Sequence, residues 1–569
     1  LLTQVAFSQT TYVPDDNFEQ ALIDLGYDDV LNDFVLTENI SGVTSLDVES
    51  KEISALTGIE GFTALTYLNC ENNELTSLNV SSNTALETLY CANNQLTTLD
   101  VSNNTTLFSI ECYSNQLTSL DVSGATALTN LGGHSNQLAS LDVSANTALT
   151  RLQCFNNQLT SLDVSSNTAL TSLECQSNQL ASLDVSSNTA LTRLNCDGNS
   201  LTSLDVNNNT ALNELRCTDN QLTTLDVSAN TALTNYLDCS YNQLSSLDIS
   251  SNTALIKLAC QGNQLTSLDV NNNTALDYLN CYNNQLTSLD VSNNTELEFL
   301  WVSENPLTSL DVSANTDLTE LRCAGPYPEL GLLTSLDVGA NTALERLSVQ
   351  HNQIQTLDVS NNTELNQLEC QINQIQVLDL SNNTKLHFLN CVDNQISTLD
   401  LSDNLDLTWL GCANNPITEL DVSVHESLQF LWSSETQLTS LDVSKNPLLT
   451  YLEIPNNPLT YLNMKNGSTD QLTTFSATGN SSLTCIETLD PDYATANWTY
   501  ANDNIDDGVT FDVICGAEAR THWYVATTGS DNSGSGTLAS PLANIQTAIN
   551  ATTDGDTVSV AAGTYVENI

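Results

Sequence analysis

Asp residues recur in this sequence in a pattern that could bind cations. One Asp follows a Leu about every 21 residues, from Asp100 and Asp121 to Asp442. Two carboxylates about 5 Å apart repel by about 1 kcal/mol even in water, so such a column needs compensation. An Asp that precedes Ser or Asn can accept backbone N–H bonds in its own turn, which is the interpretation we favour. Calcium along the column is the alternative, and otherwise we expect no cofactor and no metal site.

The cysteines follow the same period. Of the 16 Cys, most occupy one repeat position, from Cys70 to Cys412, and Gly133, Val302, Val349, Ser433 and Ile454 replace Cys there. Exchange with Val and Ile is typical of a small buried hydrophobic residue, and neighbouring side chains in one column point the same way, which is poor disulfide geometry. We therefore predict buried free thiols in the column. Cys485 and Cys515 lie outside it, and in a secreted protein they could form a disulfide across the end of the array.

Other residues give little support for catalysis. The five His residues are scattered and have no recurring nucleophile or acid partner. The sequence has no phosphate-binding Gly loop and no zinc-binding motif. We therefore name no catalytic residue and predict that the chain is not an enzyme.

Aromatic residues concentrate beside the Leu and Cys positions. Phe388, Trp409, Phe430 and Tyr451 occupy one column in consecutive repeats, and Trp432 lies beside them. Exposed rings on a rigid support are costly unless a partner covers them, and aromatic side chains are typical interface anchors. We predict a ligand site here whose ring faces suit sugar C–H groups or apolar side chains. The alternative is ring packing that only stabilises the sheet. A second candidate stretch comprises Tyr278, Phe299 and Trp301.

The elements that position these residues follow from a 21-residue repeat. One unit begins at Leu86 and has the pattern Leu-x-x-Leu-x-Cys-x-x-Asn-x-Leu, and about 20 such units run from Leu65 to Cys485. Leu89 and Cys91 alternate with Tyr90, so a short strand places the first two inside and Tyr90 outside. Stacked units bury the inner residues as one core beneath a parallel sheet. We expect Asn94 and its equivalents to bond buried backbone groups in each turn.

Both ends of the sequence depart from the repeat. Asp16 and Glu19 resemble a capping box at the start of a helix over 16–25, which would cover one end of the array. The insertion at 324–331 must leave the solenoid as a loop. After residue 516 the pattern becomes strand, helix and strand. We assign 1–8 to a signal-peptide remnant, 9–40 to an N-terminal cap, 41–470 to the repeats, 471–516 to the last repeat and C-terminal cap, and 517–569 to a truncated domain.

Charge and hydropathy limit the partners. The formal net charge is -57, so we exclude nucleic acid and anionic membrane surfaces as partners. No segment is long and apolar enough to insert into a membrane. The segment Leu1–Gln9 has the apolar and small residues of a signal-peptide end, which predicts a secreted or cell-surface protein. We expect the chain to be a monomer.

The repeat pattern, with units of the type Leu-Thr-Ser-Leu-Asp-Val-Ser-x-Asn-Thr-Ala-Leu, resembles the internalin-like leucine-rich repeats of secreted bacterial proteins, in the style of the Bacteroidetes. This resemblance covers residues 11–516 and implies a strand-dominated α/β-type solenoid with surface-binding function. Residues 522–569 resemble the first coil of a pectin-lyase-like right-handed parallel β-helix, and no catalytic residue carries over. We predict an adhesion module for a glycan or a surface protein. The alternatives are the targeting region of a polysaccharide-acting enzyme, and a passive stalk.

Overall fold

The computed structural model describes residues 9–328, 330–516, 521–532, 534–552 and 556–566. The signal-peptide segment predicted at 1–8 therefore lies outside the described residues. The chain divides into two compact units, Leu1–Gln285 and Leu286–Ile569.

The first unit consists of three-residue strands with a few short helices at its beginning. Its elements are β1 (Thr10–Tyr12), α1 (Asp16–Asp24), β2 (Phe34–Leu36), α2 (Thr37–Ile40), β3 (Ser45–Asp47), the 3₁₀ helix Ile59–Gly61, β4 (Tyr67–Asn69), β5 (Thr88–Tyr90), β6 (Thr98–Asp100), β7 (Ser109–Glu111), β8 (Ser119–Asp121), β9 (Asn130–Gly132), β10 (Arg151–Gln153), β11 (Ser172–Glu174), β12 (Arg193–Asn195), β13 (Glu214–Arg216), β14 (Tyr236–Asp238), β15 (Lys257–Ala259) and β16 (Tyr278–Asn280).

The second unit continues this architecture to residue 476 and then changes. Its elements are β17 (Phe299–Trp301), β18 (Glu320–Arg322), β19 (Arg346–Ser348), β20 (Gln367–Glu369), β21 (Phe388–Asn390), β22 (Trp409–Gly411), β23 (Phe430–Trp432), β24 (Ser440–Asp442), β25 (Tyr451–Glu453), β26 (Tyr461–Asn463), β27 (Thr474–Ser476), β28 (Cys485–Glu487), α3 (Pro491–Asn497), the 3₁₀ helix Tyr500–Asn502, β29 (Thr510–Asp512), β30 (His522–Val525), α4 (Ile545–Asn550) and β31 (Thr557–Val560).

In each unit one parallel ribbon carries the repeats, as the sequence predicts. Each ribbon strand pairs with the strand of the next repeat, so that Leu152 stands opposite Leu173 in the first unit and Leu389 opposite Leu410 in the second. These middle residues point inward and are fully buried. The first and third residues of each strand therefore point away from the core, and together with the second residue after each strand they form what we call the outer face of the ribbon.

The core of each repeat is closed by an Asn side chain, which confirms the predicted role of this column. The Asn94 amide donates to the carbonyls of Cys70 (2.9 Å), Cys91 (3.2 Å) and Ala92 (3.1 Å), and its oxygen accepts the Leu75 N–H. The Asn94 side chain thus satisfies four backbone groups that would otherwise be buried without partners.

The cysteines of the predicted column, from Cys70 to Cys412, are all buried free thiols.

In the N-terminal cap, the capping residue of the first helix and the role of Glu19 differ from the prediction. The residue before α1 that caps its N–H groups is Asp15, which accepts from the Phe18 N–H at 3.0 Å, and Asp16 is already helical. Glu19 does not reach back to the helix start. It is buried, and its carboxylate accepts the N–H groups of Asn32, Asp33 and Phe34. The spacing that suggested local capping thus belongs to a contact between Glu19 and a later segment of the chain.

The C-terminal segment packs on the last repeats. Cys485 and Cys515 are joined by a disulfide with a Cα–Cα distance of 5.8 Å. The Asn463 amide donates to the Asn532 carbonyl and the Asn532 amide donates to the Ser444 carbonyl, both at 2.9 Å. Strands β30 and β31 pair in parallel, and α4 lies between them in the chain. Among the described residues, we found no helix with the length and hydropathy of a membrane span.

Candidate ligand-binding surface

The Asp column forms hydrogen bonds within its own turns. Asp163 Oδ1 accepts the Ser165 N–H at 2.9 Å, and Asp184 accepts the Ser186 N–H in the same way. Hydrogen bonds from the Ser165 hydroxyl and backbone hold the pKa of Asp163 below its usual value. Within the described ranges, no group of three or more His, Cys, Asp or Glu has metal-binding geometry. The turn-capping interpretation accounts for these contacts, and calcium binding stays the untested alternative.

The second unit brings four of the candidate rings into one stack on the outer face, which we call the ring ladder: Phe388, Trp409, Phe430 and Tyr451. Their positions follow from the register, because each is the first residue of its strand and stands opposite the next. Successive ring centroids lie 4.3, 4.5 and 4.0 Å apart, and the planes differ by only 14, 10 and 15°. All four side chains are half-buried.

This stacking changes which part of each ring a ligand can reach. Parallel rings whose centroids are only about 4 Å apart must lie face to face, because rings side by side in one plane would overlap. The faces of Trp409 and Phe430 are therefore covered by their neighbours, and ring edges point away from the sheet. Our expectation that the ring faces are open to sugar C–H groups is wrong for these two positions.

The surroundings of the ring ladder are neutral or acidic. The third strand positions beside it are Asn390, Gly411 and Trp432, with Glu369 and Glu453 at the two ends. A Cβ on Gly411 would stand 2.7 Å from the Trp409 ring, so Gly411 makes room for the indole. Trp432 donates its indole N–H to the Ser434 hydroxyl at 2.8 Å. Burial raises the pKa of Tyr451 to about 12, so its hydroxyl remains protonated.

The second candidate stretch is divided between the two units. Tyr278 lies in the first unit, on β16, whereas Phe299 and Trp301 lie in the second, on β17. The Arg322 guanidinium lies over the Trp301 ring, 4.6 Å from its centroid. Within the second unit, the neighbouring strands β17 and β18 therefore present an aromatic and a cationic group together.

Comparisons with known proteins agree with this architecture. No protein-family model matches the chain. A 72-residue alignment is 36% identical to internalin J of Listeria monocytogenes, but covers only 13% of this chain and 8% of that protein. The structure of the functional domain of that protein, described as including a cysteine ladder, is 34% identical over 77% of this chain and 84% of its own, with a TM-score of 0.48.

Two other structures are similar in fold. The Leptospira interrogans LRR protein LIC12759 is 24% identical over 64% of this chain and 90% of its own, with a TM-score of 0.50. The fold is that of a leucine-rich-repeat solenoid. The plant peptide hormone receptor RGFR1, in complex with RGF2, shares this solenoid fold at 18% identity, covering 78% of this chain and 86% of its own, with a TM-score of 0.61.

Two features of the outer face were not predicted from the sequence. In the first unit His134 lies between Tyr113 and Phe155, with centroids 4.5 and 4.1 Å away. Arginine side chains also lie on this face, including Arg322 and Arg346. Their positions at the first or third residue of a strand were visible in the sequence. The ring contacts of His134 were not, because they join residues 21 positions apart.

Proposed function

We propose that this chain is an extracellular binding module that engages a protein ligand at the ring ladder of the second unit. The single observation that carries the proposal is the stack of four half-buried rings, each on a different strand of a rigid ribbon. Rigid aromatic side chains lose little conformational entropy on binding and commonly anchor interfaces. The complex of the solenoid receptor RGFR1 with RGF2 offers a precedent for ligand binding by this fold.

The orientation of the rings favours a protein over a glycan. Sugars usually contact aromatic residues through the ring face, and the inner faces of the ladder are covered by stacking. A row of ring edges beside Trp432 instead offers a ridge against which apolar side chains of a protein can pack.

The decisive experiment measures binding of the purified chain to intact cells by flow cytometry. The double variant Trp409→Ala/Trp432→Ala should bind at least about tenfold more weakly, the loss typical of two interface anchors. Protease treatment of the cells should abolish binding. Phe155→Ala, which removes a stacked ring from the first unit, is the matched control and should bind as the wild type does. Equal binding by the wild type and the folded double variant would contradict the proposal.

A glycan array tests a second candidate function, in which this chain is the targeting region of a polysaccharide-acting enzyme. The parallel pair β30–β31, with α4 between its strands in the chain, supports the resemblance of the C-terminal segment to a polysaccharide-acting β-helix. Polysaccharide binding that is unaffected by Trp409→Ala would favour this candidate over the ring ladder. We expect no such binding.

A further inference from the structure

The few cations of this acidic chain concentrate on the outer face of the ribbon. Six of the 11 Lys and Arg are the first or third residue of a ribbon strand: Arg151, Arg193, Arg216, Lys257, Arg322 and Arg346. These positions are a small fraction of the chain. Isolated surface ion pairs contribute about 0–1 kcal/mol to stability, so stability alone does not account for this placement.

Two of these arginines converge in the second unit, where they form what we call the arginine pair. Both are held by Glu320, whose side chain is only 6% exposed: Oε1 accepts from Arg322 Nε, and Oε2 lies 3.6 Å from Arg346 Nη1. Arg322 contacts Glu320 with the Nε side of its guanidinium, so the edge formed by its two terminal amino groups does not face Glu320. The Arg322 and Arg346 side chains are 48% and 54% exposed.

The first unit repeats this arrangement with different residues. Glu214 accepts from Arg216 Nε at 2.7 Å and lies 3.7 Å from Arg193 Nη2. Arg216 lies over the Tyr236 ring, 5.0 Å from its centroid, as Arg322 lies over Trp301. In both units a shielded Glu thus orients two guanidinium groups and an aromatic ring supports one of them. Such fixed orientation reduces the entropy lost when a ligand binds.

We propose that the arginine pair Arg322–Arg346 binds a carboxylate side chain of the protein partner. This inference rests on the proposed function, because it names the chemistry of a partner on the same outer face. A planar guanidinium matches a carboxylate in two parallel hydrogen bonds, and its contact with the Trp301 ring restricts the movement of Arg322. The Arg322 and Arg346 side chains are about half exposed whereas Glu320 is only 6% exposed, so a partner reaches the guanidinium groups rather than that carboxylate.

The distance between the arginine pair and the ring ladder indicates how the groups of the partner are spaced. Arg346 stands opposite Gln367, which stands opposite Phe388, so the pair and the ring ladder are two strand spacings apart. At about 4.8 Å per strand this separation is roughly 10 Å. Glu369 and Gln367 line the same small cleft as the pair, and Gln367 donates to Glu369 at 2.6 Å. The partner therefore presents an acidic side chain about 10 Å from an apolar patch.

A phage library of random 12-residue peptides, selected against the immobilised full chain, tests this inference. Peptides selected by the wild type should be enriched in both apolar and acidic residues. The variant Arg322→Gln/Arg346→Gln should lose the acidic enrichment and keep the apolar one, whereas Trp409→Ala should lose the apolar one. Apolar enrichment without acidic enrichment in the wild type would overturn the inference but leave the proposed function standing.

A double-mutant cycle makes the test quantitative. Replacing Asp or Glu of a selected peptide by Asn or Gln should weaken its binding to the wild type about tenfold, and to the double variant less than twofold. Lys385→Gln, which removes an exposed cation of the same unit that pairs with Glu364, is the control and should bind as the wild type does. Equal weakening in the wild type and the double variant would overturn the inference, as would binding only to sulfated glycans. Circular dichroism verifies that each variant is folded.

Discussion

At the scale of single residues, the carboxyl groups of this chain lie in very different environments. Burial raises the pKa of Asp197 to about 7, against the lowering effect of the Thr218 N–H that its Oδ1 accepts at 2.8 Å. Asp163 in the turn column is exposed, and its hydrogen bonds with Ser165 lower its pKa. The two groups therefore make opposite contributions to the pH dependence of stability.

The Asp197 environment predicts a pH-dependent gain from Asp197→Asn. The pKa of Asp197 is higher in the folded state than in the unfolded state, where it is about 3.9. The contribution of Asp197 to stability is therefore fully present below about pH 3.9 and is lost as the pH rises to about 7. Asn stays neutral and can still accept from Thr218, so the variant should be more stable than the wild type by about 1 kcal/mol at pH 8 and equal to it at pH 4. Thermal melts across this range measure the difference. Asp163→Asn, as the control, should show no gain at pH 8, and a pH-independent difference for Asp197→Asn would contradict the assignment.

Two adjacent asparagines provide a matched test of the buried amide columns. Asn209 is fully buried and donates to the carbonyls of Val185 and Asn188, both at 2.9 Å, whereas Asn208 is exposed. Asn209→Ala leaves those carbonyls without partners and should destabilise the first unit by about 2 kcal/mol or more. Asn208→Ala should change stability by less than about 0.5 kcal/mol. Urea unfolding followed by circular dichroism gives both values, and similar effects would contradict the structural role.

At the scale of the repeat element, identical side chains stack into columns whose properties depend on where they point. The Cys column points inward and is fully buried, while the Asp column points outward, and each carboxylate satisfies the N–H two residues on. Ring columns lie between these extremes, since the rings cover one another and leave their edges exposed. Stacking thus converts one repeated position into a continuous chemical surface.

The Cys column should be chemically inert until the chain unfolds. Burial raises the pKa of Cys154 to about 12, so almost no reactive thiolate is present at pH 8. We expect thiol reagents to leave the folded column unmodified and to label it fully in denaturant, without labelling Cys485 and Cys515. Mass spectrometry of the peptides locates the labels. Rapid labelling of the folded chain, or disulfides between adjacent repeats, would disprove this prediction.

The Asp column should not need calcium. Each carboxylate already accepts hydrogen bonds within its turn, so a chelator should shift the melting temperature by less than about 1 °C at moderate salt. Differential scanning calorimetry with and without the chelator makes the comparison. A rise in melting temperature with millimolar calcium, larger than sodium chloride of equal ionic strength produces, would instead support metal binding.

At the scale of the whole molecule, charge is the dominant property. The chain carries 68 Asp and Glu against 11 Lys and Arg, and six of those cations lie on the outer face of the ribbon. Self-repulsion of a large net charge weakens the folded state, and the repulsion is long-ranged at low ionic strength. The same net charge opposes the approach of acidic partners in general, so a site for such a partner needs cations held in place.

Salt should therefore stabilise the protein. Raising sodium chloride from about 10 mM to about 500 mM shortens the screening length from roughly 30 Å to a few Å, so repulsion between neighbouring Asp residues weakens. We expect the melting temperature to rise by about 5 °C or more, and choline chloride to have the same effect because screening does not depend on the cation. A fall in melting temperature, or a rise with sodium alone, would contradict an electrostatic origin.

Much of the fold could be predicted from the sequence because one 21-residue pattern specifies it many times. Alternation of Leu89, Tyr90 and Cys91 determines which residues face the core, and the replacement of Cys by Val or Ile indicates burial without disulfides. The parallel pairing of the strands follows, since each repeat can bury its apolar side only against the next one. These properties depend on spacing along the chain, which the sequence states directly.

The candidate binding surface depends on contacts between repeats, and only the tertiary structure decides those. The sequence places Phe388, Trp409, Phe430 and Tyr451 in one column, but side-chain rotamers determine that the rings stack and hide their faces. Local spacing suggests that Glu19 caps its own helix, whereas its carboxylate binds the segment at 32–34. Likewise, Glu320 joins Arg322 of its own strand to Arg346 of the next, across an insertion in the chain. Such contacts form between residues that the repeat brings together in space, so their geometry is absent from the linear pattern.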